Sequence, residues 1–333
     1  MKLAFSSIGL ALTTVAVIGL NIPKADAALF VSSINSNSVL EYDETTGNLI
    51  RQFVPPGGGG LSGPIAQALG PDNNIYVSSL NNNSILKYDA TTGTFLGEFV
   101  PNGGGGLIAP LAIVFGPDNN LYVNAEGNNS VFKYNGTTGA FLGAFVPPGV
   151  GGLNQPRGLT FGPDGNLYVT SNLNNSVIKY DGVTGNPLGT FVPNGVGGLD
   201  QPRALTFGPD GNLYVSSSGT NSVIKYDGIT GNALGEFIPA NSGGLSGTRG
   251  IAFDTPGNLY VASFDNNSIL KYSGTTGAFL EEFVPPSGGG LSGPLVITFI
   301  PTSSVSVPES SSPLAILVLG IFGLGFLVKQ KNQ

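Results

Sequence analysis

One 46-residue unit is written six times in this chain. The tyrosines of its apolar-Tyr-Val triplet fall at Tyr76, Tyr122, Tyr168, Tyr214 and Tyr260, each 46 residues after the last, and Phe30 holds the same slot one period earlier. A fixed period of this size, filled with short strand and turn signals, marks a propeller or solenoid array. A single unit of that size cannot bury its own apolar face, so neighbouring units must stack. Whatever is copied in every unit is therefore expected to be architecture. Whatever differs between copies is the better place to seek activity.

The copy at 156–200 shows the pattern. Residues 157–161 (RGLTF) read as a short apolar strand a, and 162–166 (GPDGN) as a turn in which Pro presets φ and Gly accepts positive φ. Strand b follows at 167–170 (LYVT), a turn at 173–176 (LNNS), strand c at 177–180 (VIKY), a third turn at 181–186 (DGVTGN) and strand d at 187–192. Four antiparallel strands joined by tight turns make one propeller blade. The Gly-rich link 193–202 must span ~14 Å from outer strand d to the next inner strand a, which about ten residues can do and a two-residue hairpin cannot. The 52 glycines and 24 prolines fit such a string of short elements better than long helices.

The frame opens in strand b at Phe30 and ends on a lone strand a at 295–299 (LVITF). Pairing these two ends completes a blade and removes two exposed edges. The expected fold is thus all-β: a six-bladed β-propeller, four antiparallel strands per blade, with one blade closed by strands from both termini. The a–b and c–d turns then share one face. The b–c turns and the links share the other, the top, whose longer loops line the channel mouth.

Several side chains recur in all copies: the strand c Tyr (Tyr42 to Tyr272), the strand d Phe (Phe53 to Phe283), the Thr-Gly of the c–d turn, the b–c turn Asn (Asn37 to Asn267) and a link Leu (Leu61 to Leu291). They read as blade packing and turn chemistry, the aromatics as core. The lysines Lys87, Lys133, Lys179, Lys225 and Lys271 recur in strand c, and cross-strand pairing with Glu98, Glu236 and Glu282 of strand d is expected.

Both ends read as targeting segments. Residues 1–27 have a basic start at Lys2, a largely apolar stretch and an Ala25-Asp26-Ala27 cleavage site, the pattern of a secretory signal peptide. Residues 306–333 hold Val307-Pro308-Glu309-Ser310, a sixteen-residue apolar run at 313–328 and then Lys329 and Lys331. That arrangement resembles the PEP-CTERM sorting signal of exported bacterial proteins, with Ser310 in place of the second proline and lysines in place of arginines. The resemblance implies export, a membrane stage through the C-terminal segment and an exosortase-type processing enzyme as partner. The expected location is the cell surface or extracellular space. A simple membrane anchor is the alternative.

Composition removes whole chemistries. The chain has no cysteine, hence no disulfide or thiolate, and no histidine, hence no Ser-His-Asp triad and no imidazole acid–base group. A net charge of −7 speaks against a nucleic-acid partner.

Residues 153–181 (LNQPRGLTFGPDGNLYVTSNLNNSVIKYD) resemble an NHL repeat: a Pro-x-Gly-apolar strand, an Asp-Gly-Asn turn, an apolar-Tyr-Val strand and an Asn before strand c. The resemblance covers 28 to about 305, recurs in each copy, and implies a six-bladed propeller. Gln155 and Gln201 stand near the place of the family's His, and Ser176 and its equivalents replace a basic residue. Streptogramin lyases also resemble these repeats, but their chemistry implies a catalytic histidine. Gluconolactonase-like propellers imply a channel metal, yet strand a offers no acid in any copy. No cofactor, no metal and no catalytic residue are expected, and a lactonase- or lyase-like enzyme is the alternative reading.

Of four arginines, Arg157, Arg203 and Arg249 hold one slot in consecutive copies, where the others have Leu295, Ile65 and Leu111. The slot opens strand a, so a cationic crescent is expected on half of the channel mouth. Arginine forks bind carboxylate or phosphate, which points to an anionic glycan or other carboxylated ligand, or a protein presenting one. Asn124, Glu126 and Asp265 are secondary top-face candidates, the two acids being off-pattern in the b–c turns.

Overall fold

The computed structural model describes residues 27–301; the segments expected to be a signal peptide (1–27, apart from Ala27) and a sorting signal (306–333) lie outside the described residues. Six four-stranded antiparallel sheets carry the chain. Blade 1 combines Pro294–Pro301 as its inner strand a with Ala27–Ser33, Ser38–Asp43 and Leu49–Val54 as strands b, c and d. Blades 2 to 6 follow in order at 64–100, 110–146, 156–192, 202–238 and 248–284. In blade 4 the strands are Pro156–Phe161, Leu167–Ser171, Ser176–Tyr180 and Pro187–Val192, within a residue or so of the sequence expectation. The first strand already includes Ala27, which pairs with Pro301. Both ends of the ring therefore meet on the face of the a–b turns, opposite the top.

The copied side chains are inter-blade fasteners. The strand b aromatic stands edge-on to the strand d Phe of its own blade, as Tyr168 does to Phe191 at 4.9 Å between ring centroids. It also stands edge-on to the strand a Phe of the next blade, as Tyr168 does to Phe207 at 5.1 Å. The same pair of contacts is made by Tyr76, Tyr122, Tyr214 and Tyr260. Each such contact contributes about 0.5–1.5 kcal/mol beyond burial. The strand c Tyr is buried and donates its hydroxyl to a link carbonyl: Tyr180 to Val150, Tyr226 to Val196, and Tyr42 back around the ring to Gly288. The link leucines are likewise buried, which pins the loops inward.

The recurrent Asn does two jobs. It ends the single 3-10 or hydrogen-bonded turn between strands b and c with a left-handed backbone (Asn175, φ 47), a conformation Asn tolerates better than other residues with a side chain. Its side-chain oxygen then accepts the backbone N–H of the next link: Gln201 on Asn175, Gln155 on Asn129, Gly293 on Asn267. The Asp or Asn opening the c–d turn accepts the backbone N–H and hydroxyl of the recurrent Thr, as Asp181 does from Thr184, at 2.8 Å each.

The lysines do not pair as the sequence suggested. A register shift in the c–d pairing sets Gly97, Gly143, Gly189 and Gly235 opposite them, with Glu98 and Glu236 one residue away. Lys87, Lys133, Lys179 and Lys225 instead reach across strand b to the aspartates of the a–b turns, at 2.6–2.8 Å. Lys271 alone finds a strand d acid, Glu281, at 3.3 Å. Burial raises the Asp72 carboxyl most, but the bonds from Lys87, Asn74 and Tyr76 together override it and hold the group down at about 2. These copied charges are absorbed by the scaffold.

The Thr-Gly glycines show how closely blades approach. Gly185 has φ 74, and a Cβ there would collide with the carbonyl oxygen of Phe145 in the preceding blade. Gly195, in a link, has φ 69 but open space around a Cβ. Gly195→Ala is expected to cost about 1–2 kcal/mol of left-handed strain. Gly185→Ala should cost about 1–3 kcal/mol more, because the blades must part. Equal losses of stability in urea unfolding of the two variants would contradict this packing.

Candidate functional site

The six inner strands wall a central cavity of about 590 Å³. Their second residues ring its upper end: Arg157, Arg203 and Arg249 on blades 4 to 6, Leu295, Ile65 and Leu111 on blades 1 to 3. The fourth residues are apolar and buried at 3–7 % exposure (Ile113, Leu159, Leu205, Ile251, Ile297), with Gln67 the one polar member. The sixth residues are Leu69 and five phenylalanines. The result is an apolar shaft with a mouth that is cationic on one half.

The three arginines are held differently. Arg157 Nη2 meets Glu126 Oε1 at 2.7 Å across the junction of blades 3 and 4, both side chains about one-fifth exposed, while its buried Nε has no partner among the described residues. Arg249 lies over the ring of Phe264 at 4.8 Å and donates to the Thr248 carbonyl. Arg203 donates Nε to Ser218 Oγ at 3.2 Å and, among the described residues, makes no ion pair. Burial lowers all three, partly offset by Glu126 for Arg157 and by Asp265 for Arg249. Arg203 is pushed down to about 10 by burial first and then by the charges of Arg157 and Arg249, with Glu126 opposing. It remains a cation at neutral pH, in a place that penalises cations.

The secondary candidates separate. Glu126 belongs to the arginine group. Asp265 accepts the Ser246 hydroxyl at 3.0 Å and acts on Arg249 only through its charge. Asn124 lies inside strand b, fully buried, with neither amide atom partnered among the described residues. In the same slot Ser78 and Thr170 use a hydroxyl to bond the next inner strand, to Leu111 O and Arg203 O. Among the described residues no group of three or more acidic, His or Cys side chains is placed to hold a metal ion.

Sequence reading missed two things. Gln67 joins the closing strand to blade 2: it donates to Phe30 O and Val296 O at 2.9 and 3.1 Å and accepts from Ser32. Its signal was present, as the only polar residue in a slot that is Ile or Leu in the other copies. The second is a ring of turn residues around the mouth. The first residue of each b–c turn is Ile34, Leu80, Glu126, Asn172, Ser218 or Phe264. Three of these contact the arginines, and the aliphatic pair falls on blades 1 and 2, beside the aliphatic half of the inner ring.

No family model matches the chain, and no curated protein matches it. Among solved structures the fold is similar to a chain of a nidogen/laminin complex, with a TM-score of 0.65 and 16% identity over 82% of this chain and 98% of that one. It is also similar to a protein of unknown function from Bacteroides caccae, with TM-score 0.61 and 13% identity over 83% and 100%. A catalytically inactive His-to-Ala variant of virginiamycin B lyase from Staphylococcus aureus, with quinupristin, gives 0.54 and 17% over 86% and 88%. At such identities the likeness establishes the fold, a six-bladed β-propeller, and not the activity.

Removal of one partner of a half-buried ion pair leaves the other uncompensated. Glu126→Ala is therefore expected to cost about 1–3 kcal/mol. Adding Arg157→Leu, the residue type of the opposite half, should recover much of that loss. A double-mutant cycle by urea denaturation that shows additive losses would contradict the pairing.

Proposed function

We propose that this chain is an exported, non-enzymatic binding or scaffold propeller whose channel mouth takes an anionic ligand, a carboxylated metabolite, an anionic glycan or an acidic group on a protein. The observation that carries the reading is Arg203, a half-buried cation without an acidic partner among the described residues, between two further arginines. An arginine held out of water gains most when a carboxylate arrives, since the pair then replaces lost hydration and relieves the neighbouring like charges. The fold supports a binding role as well, since a similar chain belongs to a complex of two proteins. A lyase- or lactonase-like enzyme is the rival. It draws on the same fold, but Glu126, the one carboxylate among the described residues that touches these arginines, is already engaged, and the chain has no histidine.

Export and surface delivery rest on the two terminal segments, with the exosortase-type enzyme as the processing partner. Both ends of the ring emerge on the face opposite the arginines, so an attachment through the C-terminal segment leaves the mouth unobstructed.

Two measurements test this. Mass spectrometry of protein recovered from its native host should find a mature N-terminus at Ala28; an intact Met1 would remove the export reading. A panel of carboxylates, anionic glycans and neutral controls should yield an anionic binder whose affinity falls about tenfold or more, ~1.4 kcal/mol or above, in the Arg157→Ala, Arg203→Ala, Arg249→Ala triple variant. Binding unchanged in that variant would exclude the mouth as the site.

A further inference from the structure

The arginine half-ring is one side of an amphipathic entrance, and the cavity beneath it is apolar. Opposite the arginines the inner ring is Leu295, Ile65 and Leu111, and the turn residues beside it are Ile34 and Leu80. Below the mouth the wall is built from buried Ile and Leu, and then from a collar of Leu69 and phenylalanines. Below the arginines the polar side chains of the shaft are few, Gln67 and three threonines. Gln67 is consumed by the closing seam, and Thr298 donates to Gln67 O. The Thr160 and Thr206 hydroxyls make only long contacts, 3.4 and 3.5 Å, to the carbonyls of Phe161 and Phe207.

A hydroxyl-rich ligand would find few side-chain donors or acceptors in such a shaft, and burying its hydroxyls unpaired costs free energy. A free anion with no apolar part would use the mouth and leave the cavity unused. At about 590 Å³ the cavity has the volume of a small-molecule pocket.

The donor inventory specifies the head group. Arg203 has both terminal nitrogens unpartnered among the described residues and Arg249 keeps Nη2, whereas the unpartnered Nε of Arg157 is buried out of a ligand's reach. These are N–H donors only, so the head must be an acceptor and an anion. A carboxylate accepts the paired nitrogens of one guanidinium in parallel.

We propose that the channel binds an aliphatic monocarboxylate, with its carboxylate on Arg203 at the mouth and its hydrocarbon chain down the shaft against the Leu and Ile of the inner strands. This rests on the anionic-ligand reading above and narrows it from anions in general to an amphiphile. It also explains the half-ring. Six arginines would close the mouth with repelling charge and hydrated guanidinium groups, whereas three leave an aliphatic side along which a chain slides in.

The test uses the full-length protein and saturation-transfer NMR with titration, comparing octanoate, 1-octanol, acetate and oligogalacturonate. Octanoate is expected to bind about tenfold or more tightly than acetate, because its methylenes leave water, and its terminal methyl should receive saturation. Arg203→Leu, which installs the residue type of the opposite half, should weaken octanoate about tenfold and leave 1-octanol unchanged. Ile65→Trp, which fills the aliphatic side of the mouth, should weaken octanoate while leaving acetate as it was. Octanoate no tighter than acetate, together with binding of oligogalacturonate, would overturn the amphiphile inference and leave the anion-binding mouth standing. Failure of both octanoate and oligogalacturonate in a folded protein, verified by its urea transition, would overturn both.

Discussion

The contact on which the rest depends is the aromatic step between blades. In the repeated geometry one strand b tyrosine touches the strand d phenylalanine of its own blade and the strand a phenylalanine of the next. A blade standing alone would expose that ring to water, so no blade is stable without its neighbours. Because the last inner strand belongs to the first blade, the chain of steps has no free end. Tyr260 reaches Phe299 of the closing strand just as Tyr214 reaches Phe253. The glycine of each c–d turn, seated against a carbonyl of the previous blade, sets how near the blades can come. Asn and Tyr hydrogen bonds to the links then tie the loops to that spacing.

Against so regular a frame, the channel mouth stands out by what is not copied. The copied lysines are neutralised by copied aspartates, and the copied aspartates of the c–d turns by turn hydrogen bonds. The arginines have no such repeated partner. One has Glu126, one an aromatic ring, and one a hydroxyl. A charge left partly buried without its counter-charge costs stability, and that cost is what motivates the ligand proposed for the mouth.

The fold was almost entirely legible, because a 46-residue period states both the length of a blade and the number of copies. The strand bounds of blade 4, the closing blade and the packing role of the recurrent Tyr, Phe, Asn and Leu all follow from it. The arginine crescent was legible for the same reason: equal slots in equal blades must lie on one ring. Pairings that cross blade boundaries were not. Glu126 and Arg157 are far apart in the chain and were treated as separate candidates, and Asn124 read as a top-face group although its strand buries it. The lysine partners were misjudged because alternation along a strand does not reveal a bulge. The shift beside Lys87, Lys133, Lys179 and Lys225 puts glycine, not glutamate, across from them.

By itself the sequence determined the periodic part of this protein: the blade, the count, the closure, and the slots at which copies disagree. Periodicity needs only local chemistry, since turn residues and alternating apolar side chains act within a few positions of one another. The tertiary structure alone decided how the irregular residues meet. Whether three arginines stand free or paired depends on the twist between blades, on strand register and on which turn residue leans across a junction. Those distances arise only after the ring has closed, and among the described residues they leave Arg203 without an acidic partner above an apolar shaft.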